Sequence, residues 1–79
     1  MSENSAASAI MIDAIGKPCP MPLLMLKKAL KLHAGQAFFL LKSSDPHSQQ
    51  DVLRYCQMHA LGCRLDKISD DEYHYLIES

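Results

Sequence analysis

Short apolar runs and helical repeats of apolar residues alternate along the first half of the chain. Residues 9–12 form an apolar run of strand length, which the glycine and the prolines that follow interrupt. After Pro20, leucines and an alanine recur at helical spacing and predict a helix over about residues 20–33. Gly35 marks the end of this helix. The start of the chain therefore predicts a strand, a tight turn and a helix.

The second half of the chain continues the alternation. Residues 36–42 hold four consecutive large apolar residues and predict a central strand, either buried on both faces or covered by a partner on one. Asp45 is the expected N-cap of a second helix and Pro46 its first residue, with Gly62 ending it. The inner stripe of that helix is expected to comprise Val52, Tyr55, Cys56 and His59.

Two further stretches rich in strand formers, residues 63–68 and 73–78, flank a polar turn and predict an antiparallel hairpin. The order β-α-β-α-β-β, with a right-handed crossover between the first two strands, predicts a four-stranded mixed sheet with both helices on one face. This is a two-layer α/β sandwich. We expect one domain over residues 9–79, preceded by a flexible tail at residues 1–8.

The composition suits a small globular domain. The chain has 79 residues, of which 48% are hydrophobic and 22% charged, with a formal net charge of −1. This length excludes a multidomain enzyme and leaves no room for a deep pocket around a large cofactor. No apolar run approaches the roughly 20 residues of a membrane span. Three irregularly spaced cysteines and a first segment without basic residues indicate a protein of the reducing cytoplasm rather than a secreted disulfide scaffold.

Charge is unevenly divided between the two halves of the chain. Residues 1–42 carry five lysines against two acidic residues, whereas residues 43–79 carry three basic and seven acidic residues. The near-neutral total gives no general attraction to nucleic acid or to an anionic membrane. We therefore expect neither as a direct partner, and we expect a monomer with one basic face.

The most distinctive local feature is a cysteine among prolines, Cys19-Pro20-Met21-Pro22. A proline at the first helical position would make Cys19 the N-cap, because a residue before proline is driven into the extended conformation that an N-cap adopts. Pro18 restrains the chain on the other side. Serine, threonine or aspartate would cap better, so a purely structural role explains this cysteine poorly.

A cysteine at a helix N-terminus is expected to be reactive. The helix dipole and free backbone N–H groups, here those of Met21 and Leu23, would favour the Cys19 thiolate, and the Lys17 ammonium would add to the effect. The sequence thus predicts a nucleophilic thiol with a lowered pKa.

The spacing of Asp13, Gly16, Cys19, Pro20 and Pro22 resembles the signature of the TusA/SirA sulfur-carrier family. The resemblance spans about residues 10–78. Further positions that agree with the family are Gly35, Asp45-Pro46, Asp51-Val52, Tyr55-Cys56 and residues 73–77.

The resemblance implies that Cys19 carries sulfur as a persulfide. The donor would be a cysteine desulfurase or a rhodanese-like protein, the acceptor a cysteine of another protein, and no metal or organic cofactor would be needed. In one branch of the family the destination is 2-thiouridine in tRNA, while other branches serve other sulfur pathways. The residue chemistry agrees, since an exposed thiolate can take the outer sulfur of a persulfide and yield it to the next thiolate.

One side of the first helix presents a candidate docking patch. Met21, Leu24, Lys28 and Lys31 follow one another at steps of three and four residues, opposite the buried side of the helix, and Lys17 lies nearby. This arrangement fits a partner surface that is apolar near Cys19 and basic beyond it. The alternative is a solvated helix face, since isolated exposed apolar residues are common.

Other interpretations remain at this point. Cys56, His59 and Cys63 contain zinc-ligand types, but no fourth ligand follows at a usual spacing, and a role for Cys56 or Cys63 in resolving a bond to Cys19 is disfavoured by the predicted burial. A non-catalytic RNA-binding or protein-binding module is the main rival, because the architecture resembles the C-terminal domain of an initiation factor. Cys19→Ser separates the two, as it would abolish the activity of a carrier and spare a binding module.

Overall fold

The computed structural model describes residues 9–79, and the predicted tail at residues 1–8 lies outside the described residues. The described residues form four strands and two helices in the predicted order: β1 (Ile10–Ala14), α1 (Met21–Leu32), β2 (Phe38–Ser43), α2 (Ser48–Met58), β3 (Gly62–Ser69) and β4 (Glu72–Glu78). The predicted fold class, a two-layer α/β sandwich, is confirmed.

The four strands form one mixed sheet in the order β1-β2-β4-β3. Strand β1 is parallel to β2, and β4 is antiparallel to both of its neighbours. One row of the register runs across the sheet from Ile12 through Leu41 and Tyr75 to Leu65. Because β1 and β2 are parallel, the loops that follow them leave the sheet at the same end.

Both helices pack on one face of the sheet, and the core lies between the layers. Leu26 of α1 and Val52 of α2 are fully buried there, together with Phe39 and Leu41 of β2. Strand β2 is central, as predicted, but only every second residue of its apolar run is buried. The alternate residues, such as Leu40, are half-buried on the face that carries no helix.

Helix α2 begins later than the sequence predicts. Its first residue is Ser48 and its N-cap is His47, so the predictions that Asp45 is the N-cap and Pro46 the first helical residue are wrong. The Ser48 N–H donates to the Asp45 carbonyl at 3.2 Å and the Gln49 N–H to the Pro46 carbonyl at 3.3 Å. These bonds close turns ahead of the helix, which explains the displacement.

The end of α2 also differs from the prediction. The helix ends at Met58, and Gly62 is the first residue of β3 rather than the helix stop. Ala60 takes the left-handed conformation, with φ of 57°, and the Leu61 N–H reaches back to the Cys56 carbonyl at 2.8 Å. This is a Schellman ending in which alanine occupies the position that glycine usually takes, so the sequence held no glycine to mark it.

The inner stripe of α2 is shorter than predicted. Val52 and Cys56 are buried and Tyr55 is half-buried, but His59 is exposed. His59 follows the last helical residue and packs its ring on Tyr55, with the ring centroids 4.3 Å apart. The helix has already ended at this point, so the helical spacing that placed His59 inside no longer applies.

The predicted hairpin is confirmed as β3 and β4. The pairing is regular from Gly62 to Lys67 and shifts between Lys67 and Ser69. Neither helix in residues 9–79 is long and apolar enough to cross a membrane.

Candidate functional site

Two loops meet at the end of the sheet where β1 and β2 finish. The Gly16 N–H, in the loop after β1, donates to the Ser44 hydroxyl, in the loop after β2, at 2.8 Å. The Cys19 N–H donates to Oδ2 of Asp45 at 2.5 Å. These two bonds bring the segment that carries Cys19 against the start of α2.

The turn after β1 is built by the residues that the motif singles out. The Asp13 carboxylate accepts the Ile15 N–H at 3.1 Å, and the Lys17 N–H donates to the Ala14 carbonyl at 3.1 Å. Gly16 has φ of 82°, in the left-handed region that favours glycine. Asp13 and Gly16 therefore shape the turn that directs the chain toward Cys19.

The start of α1 differs from the prediction. Pro20 is the N-cap, with φ of −99° and ψ of 18°, and Met21 is the first helical residue. Cys19 thus lies one residue before the N-cap and is joined to Pro20 by a cis peptide bond. The Met21 N–H donates to the Pro18 carbonyl at 2.8 Å and is not directed at the thiol. Pro22, the second helical residue, is buried and anchors the start of the helix.

The Cys19 thiol is exposed and has a carboxylate as its partner. Its S–H donates to Oδ2 of Asp51 at 3.3 Å. This hydrogen bond, with desolvation and the negative charges of Asp51 and Asp45, raises the pKa of Cys19 above its ordinary value, while a hydrogen bond from Ser48 opposes the shift. The predicted lowering of the pKa of Cys19 is therefore wrong. Acidic side chains of α2 and its preceding loop are the charged groups that shift this pKa, and Lys17 is not among them.

Asp45 links the two loops through both of its carboxylate oxygens. Oδ1 accepts the His47 N–H at 2.9 Å, and Oδ2 accepts the Ser48 hydroxyl at 3.3 Å as well as the Cys19 N–H. The His47 N–H, followed by the Cys19 N–H, holds the pKa of Asp45 below its ordinary value despite desolvation. Asp45 is therefore a carboxylate at neutral pH, and its hydrogen bonds hold the segment that carries Cys19 against the loop before α2.

The predicted docking patch is exposed along α1. The side chains of Met21 and Leu24 are 39% and 46% exposed, and both Lys28 and Lys31 are exposed. The opposite side of the helix carries the fully buried Leu26. An apolar pair close to Cys19 and a basic extension beyond it are thus present on one surface.

A groove of about 260 Å³ lies between the two helices and includes Asp51 in its wall. Lys27 and Arg54 contribute basic groups to it, and the Lys27 ammonium lies 5.3 Å from the centre of the Tyr55 ring. Asp51, whose carboxylate accepts the Cys19 S–H, is therefore also accessible from this groove.

The other two cysteines lie away from this surface. Cys56 is buried and Cys63 is half-buried, whereas Cys19 is exposed. The neighbouring Cys56 thiol, with burial, raises the pKa of Cys63, while Cys63 lowers the pKa of Cys56 against the effect of burial. Within residues 9–79 no group of three or more histidine, cysteine or acidic side chains is arranged to hold a metal ion.

Sequence reasoning missed the contact between Cys19 and Asp51. The two residues are separated by 32 positions, and Asp51 stood out only as part of the family resemblance. A usable signal was present, because loops that follow adjacent parallel strands meet at one end of a sheet. Acidic residues at the start of the second helix were therefore the candidates to contact a cysteine at the start of the first.

Comparison with known proteins agrees with this architecture. A family model described as Sulfurtransferase TusA matches residues 10–79. The crystal structure of a SirA-like protein from Desulfitobacterium hafniense superposes with a TM-score of 0.77, covering 89% of this chain and 96% of that one at 24% sequence identity. At this identity the superposition shows a shared fold, whereas the family model covers nearly the whole described chain. The chain belongs to the TusA sulfurtransferase family.

Proposed function

We propose that Cys19 carries a sulfane sulfur as a persulfide and relays it from one protein to another. The observation that carries this proposal is the exposed Cys19 thiol, held between two braced loops in a chain of the TusA family. A carrier needs its sulfur within reach of two different partners in turn. An exposed site at the end of the sheet supports this role better than an enclosed pocket would.

The transfer is a thiol exchange in two steps. The Cys19 thiolate attacks the outer sulfur of the donor's persulfide, the S–S bond of the donor breaks, and a new S–S bond forms on Cys19. The donor cysteine leaves as a thiolate and takes up the proton that Cys19 released. In the second step a thiolate of the acceptor attacks the outer sulfur on Cys19. The outer sulfur moves to the acceptor, and Cys19 leaves as a thiolate. No net oxidation occurs in either step.

Asp51 controls the first of these steps, in our proposal. Its carboxylate accepts the Cys19 S–H and favours the neutral thiol in the isolated protein. A positively charged group of the donor that pairs with Asp51 would weaken this preference and release the thiolate at the moment of contact. Donor binding and thiol activation would then be coupled through one carboxylate.

The partners that we propose follow the family. The donor is a cysteine desulfurase or a rhodanese-like protein, and the acceptor is a protein that passes sulfur toward 2-thiouridine in tRNA. Replacing Cys19 by serine in the cells that produce this protein should lower the 2-thiouridine content of their tRNA, measured by nucleoside mass spectrometry. Unchanged 2-thiouridine would direct the search to another sulfur pathway and would leave the carrier chemistry itself untouched.

Intact-protein mass spectrometry tests the carrier chemistry directly. After incubation with a cysteine desulfurase and cysteine, the protein should gain one sulfur atom that a reductant removes and that peptide mapping places on Cys19. Cys19→Ser should abolish the gain, and the matched variant Cys63→Ser should retain it. Absence of the gain with both a desulfurase and a rhodanese-type donor would contradict the proposal.

The exposed face of α1 supports a docking role beside the sulfur. Leu24→Glu should slow sulfur transfer by about tenfold, because it places a charge in the apolar part of the patch. Ile68→Glu is the matched control, since Ile68 is also an exposed apolar residue, with 53% exposure, but lies in β3. Equal transfer rates for the two variants would show that the patch does not contact the donor.

A further inference from the structure

The two edges of the sheet differ in how well they are protected. Strand β3 forms one edge and carries Arg64, Asp66 and Lys67, and its pairing is irregular between Lys67 and Ser69. Charged residues and irregular pairing are the usual protection of an edge strand against a further strand. β1 forms the other edge, has regular pairing along its length and carries a single charged residue, Asp13.

The outer edge of β1 opens into an apolar groove. The groove has a volume of about 330 Å³ and lies between β1 and α1. Ile10 and Ile12 line it from the strand, and Met25 and Leu32 line it from the helix. Leu32, the last residue of α1, is 67% exposed beside this groove. Within residues 9–79, β2 is the only strand that pairs with β1.

An extended segment beside β1 fits these features. Its backbone would complete the unpaired N–H and C=O groups along the outer edge of β1, as in peptide recognition by strand addition. Its side chains would alternate between the two faces of the sheet. Those on the helix side would enter the groove between Ile12 and Leu32, and those on the other side would lie near the exposed Met11.

The charges around the groove indicate which segment would bind. Lys28 and His33 line it from the helix, and Lys31 is exposed on the same helix. The carboxylate of Asp13, the acidic residue of the lining, already accepts the Ile15 N–H. The groove is therefore complementary to a segment with apolar side chains flanked by carboxylates.

Two other occupants fit less well. A second copy of this chain paired through its β1 would offer the groove one carboxylate, Asp13, which already accepts the Ile15 N–H, and would add its own Lys28 and His33 to the interface. The chain before β1, residues 1–8, offers Met1 as its one large apolar side chain, too little to fill an apolar groove.

We propose that the groove between β1 and α1 binds an extended, apolar and acidic segment of a partner protein as a fifth strand of the sheet. The groove shares Lys28 with the basic end of the docking patch on α1, but its lining does not include Cys19, and binding there does not depend on sulfur transfer.

Binding of a designed peptide to the full chain tests the proposal. The probe is acetyl-Glu-Thr-Val-Thr-Val-Thr-Glu-amide, in which the valines and glutamates share one face of a strand. In a titration followed by amide NMR, the signals of Ile10–Ala14 should shift, and their hydrogen exchange should slow on saturation. A peptide with lysine in place of both glutamates should bind about tenfold more weakly. A peptide with proline at both the central threonine and the valine after it should not bind, because one of these two adjacent residues turns its backbone N–H toward β1 whichever way the peptide runs.

Variants of the chain locate the site. Leu32→Glu and Lys28→Glu should each weaken binding by about tenfold, since they place a carboxylate in the groove. Lys27→Glu makes the same charge change one residue away, outside the lining of this groove, and should alter the affinity by less than about twofold.

Several results would overturn the proposal. These are unchanged β1 signals, equal binding of the proline peptide, and equal effects of Lys27→Glu and Lys28→Glu. Cross-strand contacts between residues 1–8 and β1 in the free chain would identify the tail as the occupant. A dimer in sedimentation that Leu32→Glu dissociates would identify a second copy instead.

Discussion

Helices α1 and α2 both follow a polar residue and a proline, Cys19-Pro20 in one case and Asp45-Pro46 in the other. In neither case is the polar residue the N-cap, because the chain first closes a turn. The carboxylate of Asp45 turns inward and accepts bonds from both loops. The thiol of Cys19 remains exposed, and its hydrogen-bond partner comes from the other helix.

This difference shows that the starts of the two helices have different structural roles. The start of α2 and the loop before it supply the hydrogen-bond acceptors, Asp51 and Asp45. The start of α1 supplies the thiol that, in our proposal, reacts. The backbone N–H of Cys19 is held while its sulfur stays accessible, an arrangement that combines a rigid position with freedom to exchange partners. Substitutions at the two starts should therefore differ in whether they affect stability or reactivity.

The largest effect on stability is expected at Asp45. Asp45→Ala removes the acceptor of the Cys19 N–H, the His47 N–H and the Ser48 hydroxyl, and should lower the free energy of unfolding by about 2 kcal/mol. Urea denaturation measures the loss. Asp13→Ala, which removes one exposed local bond to the Ile15 N–H, is the control and should cost about 0.5 kcal/mol. Equal losses would show that Asp45 does not brace the two loops.

The stabilisation by Asp45 should depend on pH. The pKa of Asp45 is lower in the folded state than in the unfolded chain, where it is about 3.9, so its contribution is present above that value and is lost as the pH falls through the folded pKa. Between pH 5 and more acidic conditions the native protein should lose stability, and Asp45→Asn should flatten this loss. Parallel curves for the two proteins would contradict the hydrogen bonds assigned to Asp45.

Pro22, at the start of α1, and Pro46, before α2, should differ in how much their replacement lowers the free energy of unfolding. Pro22 is buried in the first turn of α1, so Pro22→Ala should cost about 1 kcal/mol through lost apolar burial and a more flexible unfolded chain. Pro46 is exposed, so Pro46→Ala should cost about 0.5 kcal/mol or less through the unfolded chain alone. Thermal unfolding of both variants checks the order, and a larger loss at Pro46 would reverse the comparison.

The smallest effect on stability, with a clear effect on reactivity, is expected at Asp51. Asp51→Asn removes the negative charge beside the Cys19 thiol and should lower the pKa of Cys19. The rate of alkylation by iodoacetamide, measured against pH with peptide mapping of Cys19, should rise at a lower pH than in the native protein. Asp66→Asn, a charge change in β3 away from the thiol, should leave the profile unchanged. An unshifted profile for Asp51→Asn would exclude control of the thiol by Asp51.

The order of the elements could be read from the sequence because each depends on local periodicity. Helical spacing located α1, and the strand-forming residues on either side of the polar turn located β3 and β4. The boundaries were harder, because Pro20 and Pro46 mark helix starts only approximately when a turn precedes the helix. The end of α2 was missed because Ala60 takes the conformation usually given to glycine.

The sequence predicted Cys19 as the candidate reactive residue, but it did not predict the direction in which the pKa of Cys19 is shifted. The prolines on either side pointed to Cys19, but its hydrogen-bond partners come from residues 26 and 32 positions away. A helix dipole is a local property, whereas the contact with Asp51 depends on how two parallel strands place their loops. The direction of the pKa shift therefore depended on which loops the sheet brings together, and the local pattern around Cys19 does not contain that information.

The burial of Cys56 and Cys63 bears on how long the carrier that we propose could keep its sulfur. A persulfide is discharged by any thiolate that reaches its outer sulfur. Cys56 is buried in the core and Cys63 is half-buried. The neighbouring Cys56 thiol, with burial, raises the pKa of Cys63 and so disfavours its thiolate. In the carrier that we propose, the chain's two other thiols are therefore shielded from a sulfur on Cys19, so that the lifetime of the loaded protein would depend on the arrival of the next partner rather than on transfer within the molecule.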